Sequence, residues 1–245
     1  MSTNAIKKAL IIILDGLGDR PIAEFSRQTP LEKAHTPFFD QLATQGLCAM
    51  VHPLTPGIPV STHTGMALLM GLIPKAAMSL ARGPVEAAGI NLVSCQGDII
   101  LRCNFAHLVA DKKGLKVLDR RAGRVNRDTK SLAQALQDIK LPYGIKAGFY
   151  PTTQHRAVLH LQGDNLSSQI TDTDCSRLSP AYVQTSKALS NNRAAQQTAE
   201  AVNSFIQQAY HILSSHPVNL QRIRQGKVPA TGIVCRSAGQ INSLH

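Results

Sequence analysis

Two short stretches carry residue types that could do chemistry. The first is Asp15, which follows the apolar run Ala9–Leu14 and precedes Gly16. A carboxylate at the carboxyl edge of a buried parallel strand stands where α/β sheets place ligands. A divalent cation accepts such an oxygen, although an aspartate beside glycine also suits a plain turn. The second is Ser61-Thr62-His63-Thr64, after the Pro/Gly-rich stretch 53–59. Hydroxyls that open a helix sit near free N–H groups and the positive end of the helix dipole. That setting binds anions and favours an ionised nucleophile; Ser and Thr are also ordinary N-caps.

A third group is cationic: Arg82-Gly83-Pro84, Arg102-Cys103-Asn104, Arg120-Arg121-Ala122-Gly123-Arg124, His155-Arg156, Arg222 and Arg236. Guanidinium forks suit phosphate and carboxylate better than ammonium does, though a single arginine is more often a solvated surface residue. These arginines contribute to a formal net charge of +11. The charge is dispersed rather than run in blocks, and aromatics are only 4% of the chain, which argues against nucleic acid as the partner. The five cysteines form no CxxC pair, so reduced thiols and a cytoplasmic location are expected. The six-residue apolar run is too short for a signal or membrane segment, so no membrane partner is expected.

The elements that must position these residues follow from pattern. Ala9–Leu14 is continuous and β-branched, which predicts a strand buried on both faces. A helix is predicted over Thr36–Gln45, with Thr36 as N-cap, Pro37 at the first helical position and Gly46 as the stop. Thr62–Met70 reads as helix and Gly97–Phe105 as strand, so the first hundred residues look doubly wound. Beyond Ala110, short strands are predicted at Leu115–Leu118, Ile145–Tyr150 and Ala157–Leu161, with helices over Thr129–Ile139 and Asn192–Leu213. Val228–Cys235 reads as a strand returning to the sheet. The predicted organisation is an α/β core part over 1–109, an inserted α+β domain over 110–232, and a returning strand in 233–245.

Ordered segments then carry a resemblance. They are Ile11-Ile-Ile-Leu-Asp-Gly-Leu-Gly-Asp-Arg-Pro21, Thr29-Pro-Leu-Glu-Lys-Ala-His-Thr-Pro37, Ala81-Arg-Gly-Pro-Val-Glu-Ala-Ala-Gly89 and Gly97-Asp-Ile-Ile-Leu-Arg-Cys-Asn-Phe105. They continue with Asp119-Arg-Arg-Ala-Gly-Arg124, His155-Arg156, Ile170-Thr-Asp-Thr-Asp174 and His216-Pro-Val-Asn-Leu-Gln-Arg222. The chain resembles the archaeal-type cofactor-independent phosphoglycerate mutases, a branch of the alkaline phosphatase superfamily. The resemblance implies a partial alkaline-phosphatase-like doubly wound sheet with an inserted α+β substrate domain.

The resemblance also implies an activity, the interconversion of 2- and 3-phosphoglycerate through a phosphoenzyme. It makes Asp15 a metal ligand. Ungapped, it lays the family's Ser-Asp on Thr62 and His63, with Ser61 in place of a glycine. Thr62 is thus the first expectation for phosphoryl acceptor and metal contact, and Ser61 the second. Arg82, Arg102, Arg121, Arg124, His155, Arg156, Arg222 and Arg236 would hold the phosphate and carboxylate of the substrate. The implied cofactor is a divalent metal, manganese or zinc, with magnesium as a third candidate.

Family members continue past the segment that is here Arg236-Ser-Ala-Gly239, and there carry the remaining Asp and His metal ligands. Two expectations follow. The chain is a split or truncated product that needs a separate C-terminal half, or a degenerate relative that binds an anion without turning it over. A metal-dependent phosphatase of the same superfamily is a further alternative. A half sheet exposes an edge and apolar surface, so homo-oligomerisation or association with a partner is also expected.

Overall fold

The structure is a computed structural model that describes residues 8–14, 16–175 and 181–240. The chain divides into two units, Met1–His52 and Pro53–His245. In the first unit a capping box starts helix α1 (Pro30–Lys33). Thr29 Oγ1 accepts from the Glu32 amide at 3.2 Å, and Glu32 Oε2 accepts from the Thr29 amide at 2.7 Å. Helix α2 (Pro37–Gln45) forms as its sequence signals, with Thr36 at the N-cap and Gly46 after the last turn.

The strand expected over Ala9–Leu14 does not form. These residues have no regular structure, and Leu10 is 84% and Ile12 68% exposed. A strand exists only through pairing with a neighbour. Among the described residues of this unit the one β pairing is the isolated bridge between Ile22 and Gln28. Asp15, the expected metal carboxylate, lies outside the described residues.

The second unit runs, in chain order, α3 (Thr62–Leu69), α4 (Pro74–Ser79), α5 (Arg82–Ala88), β1 (Ile99–Asp111), β2 (Gly114–Asp119), α6 (Thr129–Gln134), β3 (Lys146–Pro151), β4 (Arg156–Gln162), α7 (Arg193–Ser214), α8 (Pro217–Arg224) and β5 (Gly232–Gly239). The α/β class and the strands expected between Gly97 and Cys235 are present, with ends moved by a few residues. Every pairing among the named strands is antiparallel, in the order β2-β1-β4-β3, with β5 also on β1. Strand β1 crosses the boundary drawn at 110 and pairs with the returning strand β5. The helix expected over Thr129–Ile139 stops at Gln134, and the short helices α4, α5 and α8 were not separated by periodicity. No helix among the described residues is long and apolar enough to cross a membrane.

The two faces of the sheet have different tasks. Ile99, Leu101, Cys103 and Phe105 of β1 point into the main core with Leu159 and Leu161 of β4 and Ile233 and Cys235 of β5. Helix α7 covers that face with Ala195, Ala199, Val202, Phe205, Ile206 and Ala209, an apolar stripe at helical spacing. Phe149 bridges the layers, its ring centroid 5.5 Å from both Phe105 and Phe205. The opposite face carries Ile100, Arg102 and Asn104, and α5 lies on it through Ala87 against Ile100 and Val158. Gly83 makes that approach close: a Cβ there would lie 2.1 Å from the Ile100 carbonyl oxygen. Arg82 is thereby set over the polar face of the sheet.

Candidate active site

The site builds outward from the start of α3. Ser61 is its N-cap, and Ser61 Oγ lies 3.5 Å from the Thr64 amide and 2.8 Å from Thr64 Oγ1. It also faces the His63 ring, with Nδ1 at 2.8 Å and Nε2 at 3.4 Å. His63 is held from two further sides. Nε2 lies 3.0 Å from the Leu80 carbonyl oxygen, and Arg82 Nε donates to Nδ1 at 3.1 Å. Burial lowers the His63 pKa most, and the nearby charges of Arg82 and Arg102 lower it further against the opposing effect of the Leu80 carbonyl. Donation from Arg82 Nε requires a lone pair on Nδ1, which a neutral ring supplies.

From Arg82 the positive charge continues along the sheet. Arg102 on β1 and Arg236 on β5 are directly opposite each other in the register. Arg102 is nine-tenths buried. Its pKa falls to about 10, first through burial and then through Arg236, with Glu86 acting the other way and Arg156 and Arg82 adding to the depression. Arg102 Nε is 3.5 Å from Glu86 Oε2, an ion-pair distance without hydrogen-bond geometry, so that Nε has no hydrogen-bond partner. Glu86 Oε1 is instead taken by the Thr152 hydroxyl at 2.8 Å. Arg236 Nη1 lies 3.7 Å from Asp174 Oδ2, and Asp174 is also held by both arms of Arg120. Burial raises the Asp172 pKa, against the Ser237 amide that donates to its Oδ1.

The far end of the band surrounds His155. This ring is buried, and its Nδ1 has no hydrogen-bond partner among the described residues. Its pKa falls to about 4, first through burial and then through Arg156, Arg121, Arg102 and Arg124. Arg121 and Arg124 are presented by a tight loop in which Asp119 accepts from the Arg121 and Gly123 amides at 2.8 and 2.7 Å. Ala122, Gly123 and Arg124 all have positive φ, of 45°, 61° and 54°. Left-handed backbone at non-glycine residues costs about 1–3 kcal/mol each and collects at functional sites.

Of the eight expected anion-binding residues, six arginines, Arg82, Arg102, Arg236, Arg156, Arg121 and Arg124, lie close enough to act electrostatically on one another or on the neutral ring of His155, and together with it make up the arginine band. Arg222 stands apart. Its guanidinium closes the α8–β5 connection, donating to the Val228 carbonyl at 3.1 and 3.0 Å and to Asp128 Oδ2 at 2.9 Å. Of the two expected acceptors, Ser61 is tied to the band through His63. Thr62 is exposed, and its hydroxyl makes no hydrogen bond among the described residues.

The family model for 2,3-bisphosphoglycerate-independent phosphoglycerate mutase matches residues 43–219. The chain belongs to this family. The Methanopyrus kandleri phosphoglycerate mutase is 40% identical over 245 residues, which cover 99% of this chain and 57% of that protein. The Methanosphaera stadtmanae enzyme is 39% identical over 235 residues, 96% of this chain and 56% of the relative. Among solved structures, the cofactor-independent phosphoglycerate mutase of Thermoplasma acidophilum superposes with a TM-score of 0.60 at 33% identity, covering 94% of this chain and 59% of that one. The chain therefore spans somewhat more than half the length of the mutases it matches.

Within this phosphoglycerate mutase family member, sequence reasoning missed several residues that shape the site. In the sequence His63 stands out only as a change of local charge, and Glu86, Asn104 and Asp174 only as parts of short segments whose arginines or family match draw the attention. Asn104 is buried, with an Oδ1 that has no partner and an Nδ2 3.3 Å from the Arg120 carbonyl. A usable signal existed for the acids: a band of arginines this dense needs carboxylates to hold it together without a ligand.

Proposed function

We propose that this chain provides the phosphoglycerate-binding and phosphoryl-accepting part of a phosphoglycerate mutase. In this reading 2- or 3-phosphoglycerate docks its phosphate and carboxylate along the arginine band. A hydroxyl of the Ser61-Thr62 pair takes the phosphoryl group and returns it to the neighbouring glycerate oxygen. The observation that carries the reading is the band itself: guanidinium groups on three strands and a helix start, with Arg102 Nε and His155 Nδ1 buried without a hydrogen bond and Glu86 only at ion-pair distance from the former. Burying such groups unpaired costs about 1–3 kcal/mol each, and an anionic ligand with oxygen acceptors offsets that cost. A cytoplasmic setting fits a phosphorylated metabolite as substrate.

The family resemblance implies a divalent metal, manganese or zinc foremost. Among the described residues no three His, Cys, Asp or Glu side chains gather at metal-binding distance. Beside Ser61, both His63 nitrogens are engaged and Arg82 adds positive charge. These residues do not fit a divalent cation, and no step here is routed through one. That donor set favours a second reading, in which the chain by itself binds the phosphoglycerate without turnover and a further polypeptide segment is needed for catalysis.

The test is phosphorus NMR of the full chain with 3-phosphoglycerate, with and without manganese. Appearance of 2-phosphoglycerate supports the mutase reading, and free phosphate would indicate a phosphatase. Broadened substrate resonances without product, in the sample that lacks manganese, support binding alone. Unperturbed resonances would refute both readings.

A further inference from the structure

We infer that Ser61, not Thr62, is the phosphoryl acceptor, and that His63 is the positioning residue that aims its hydroxyl toward an oxyanion held by Arg82 and Arg102. This rests on the phosphoryl-transfer reading above and departs from the assignment that ungapped matching to the family suggests.

The argument is donor and acceptor accounting. The Thr64 amide can only donate, so Ser61 Oγ accepts from it, weakly, at 3.5 Å. The Leu80 carbonyl can only accept, so His63 Nε2, 3.0 Å away, carries the ring hydrogen. Arg82 Nε can only donate, so His63 Nδ1, at 3.1 Å, is the lone-pair nitrogen. Two neighbours thus fix the same tautomer independently. With Nδ1 an acceptor 2.8 Å from Ser61 Oγ, the serine hydroxyl has two acceptors within reach, the ring and Thr64 Oγ1, also at 2.8 Å, and donation to the ring is the arrangement we infer. Thr62 has no such restraint: it is exposed and its hydroxyl is unheld among the described residues.

A second observation supplies cationic donors for an anion near His63. Arg102 is nine-tenths buried and its Nε is unpartnered. Its charge, with that of Arg82, is felt at His63. Arg82 shares the Nδ1 lone pair with Ser61. When an oxyanion draws Arg82 away, Nδ1 is left to Ser61 alone, so anion arrival tightens the hold on the nucleophile. In the step itself, a Ser61 Oγ–P bond forms and the P–O bond to the glycerate oxygen breaks. The serine proton ends on the departing glycerate hydroxyl, and the reverse step restores it.

The experiment labels the full chain with an alkyl fluorophosphonate, which forms an O–P bond at a reactive hydroxyl with loss of HF and needs no metal. Peptide mass spectrometry then locates the adduct. We expect it on Ser61. His63→Leu should slow labelling by about tenfold or more. His63→Asn, whose amide oxygen can replace Nδ1 as acceptor, should recover most of that loss. Circular dichroism of both variants checks that they fold alike. An adduct on Thr62, no adduct, or an unchanged rate in His63→Leu would overturn the inference.

In a parallel arm the chain is incubated with 3-phosphoglycerate and manganese, then acid-quenched. Phosphate on Ser61 supports the assignment, and phosphate on Thr62 overturns it. If the probe marks Ser61 in a His63-dependent way but 3-phosphoglycerate leaves no phosphate, the position stands and the phosphoryl-transfer reading for this chain fails.

Discussion

Acidification should destabilise this protein through His155, and an anion should reverse the effect. The ring's ordinary pKa of 6.5 drops to about 4 in the folded state, through burial and four surrounding arginines. A histidine depressed in this way binds fewer protons folded than unfolded between those two values. Its penalty is therefore absent above about pH 6.5, grows as the pH falls, and is complete near pH 4. The full gap, at about 1.4 kcal/mol per pH unit, corresponds to about 3 kcal/mol. Near pH 5 about 2 kcal/mol of it should be expressed. With a urea dependence of about 2 kcal/mol per molar, the unfolding midpoint should move by about 1 M.

The assay is urea unfolding near pH 7 and near pH 5 for the native chain and for His155→Gln. The variant should lose about 2 kcal/mol less between the two conditions. Histidine NMR read in parallel should place the His155 titration far below its ordinary range. Added orthophosphate should raise it, because an anion in the band offsets the field of Arg156, Arg121, Arg102 and Arg124. An equal acid loss in His155→Gln, or a titration near 6.5, would refute the reasoning.

Other consequences are more local. Arg102→Met should weaken 3-phosphoglycerate binding by about 1.5–3 kcal/mol in calorimetry, the range for hydrogen bonds to charged groups, whereas Arg222→Met should cost stability but leave affinity within about twofold. Gly83→Ala should destabilise the second unit by about 1–3 kcal/mol in chemical denaturation, because the new methyl meets the Ile100 carbonyl and lifts α5 with Arg82. Phe205→Ala should cost about 3–5 kcal/mol by the same measurement, since it empties the contact between α7 and the Phe149–Phe105 pair. Ile12→Lys should reduce self-association in sedimentation without moving the unfolding midpoint, because the side chain is already solvent-exposed.

By itself the sequence determined the helices with strong local signals and the strands of the second unit. Thr36-Pro37 and Gly46 bracket α2 because capping and φ restriction are local effects. The stripe of α7 follows from periodicity that no distant residue is needed to create. The arginines of the band were visible as residue types at turns and strand ends, and the ordered segments were enough to indicate the family.

Tertiary structure decided the rest. Ala9–Leu14 has the composition of a buried strand, but pairing is a property of two segments, and the described residues of its unit supply no partner. Arg222 and Arg102 look alike in sequence. One is tied up by Val228 and Asp128, and the other is buried with a free Nε, because their neighbours come from distant parts of the chain. The choice between Ser61 and Thr62 is of the same kind. It turns on Leu80 and Arg82, which reach His63 from 17 and 19 residues away, and a pattern of adjacent hydroxyls carries no record of that contact.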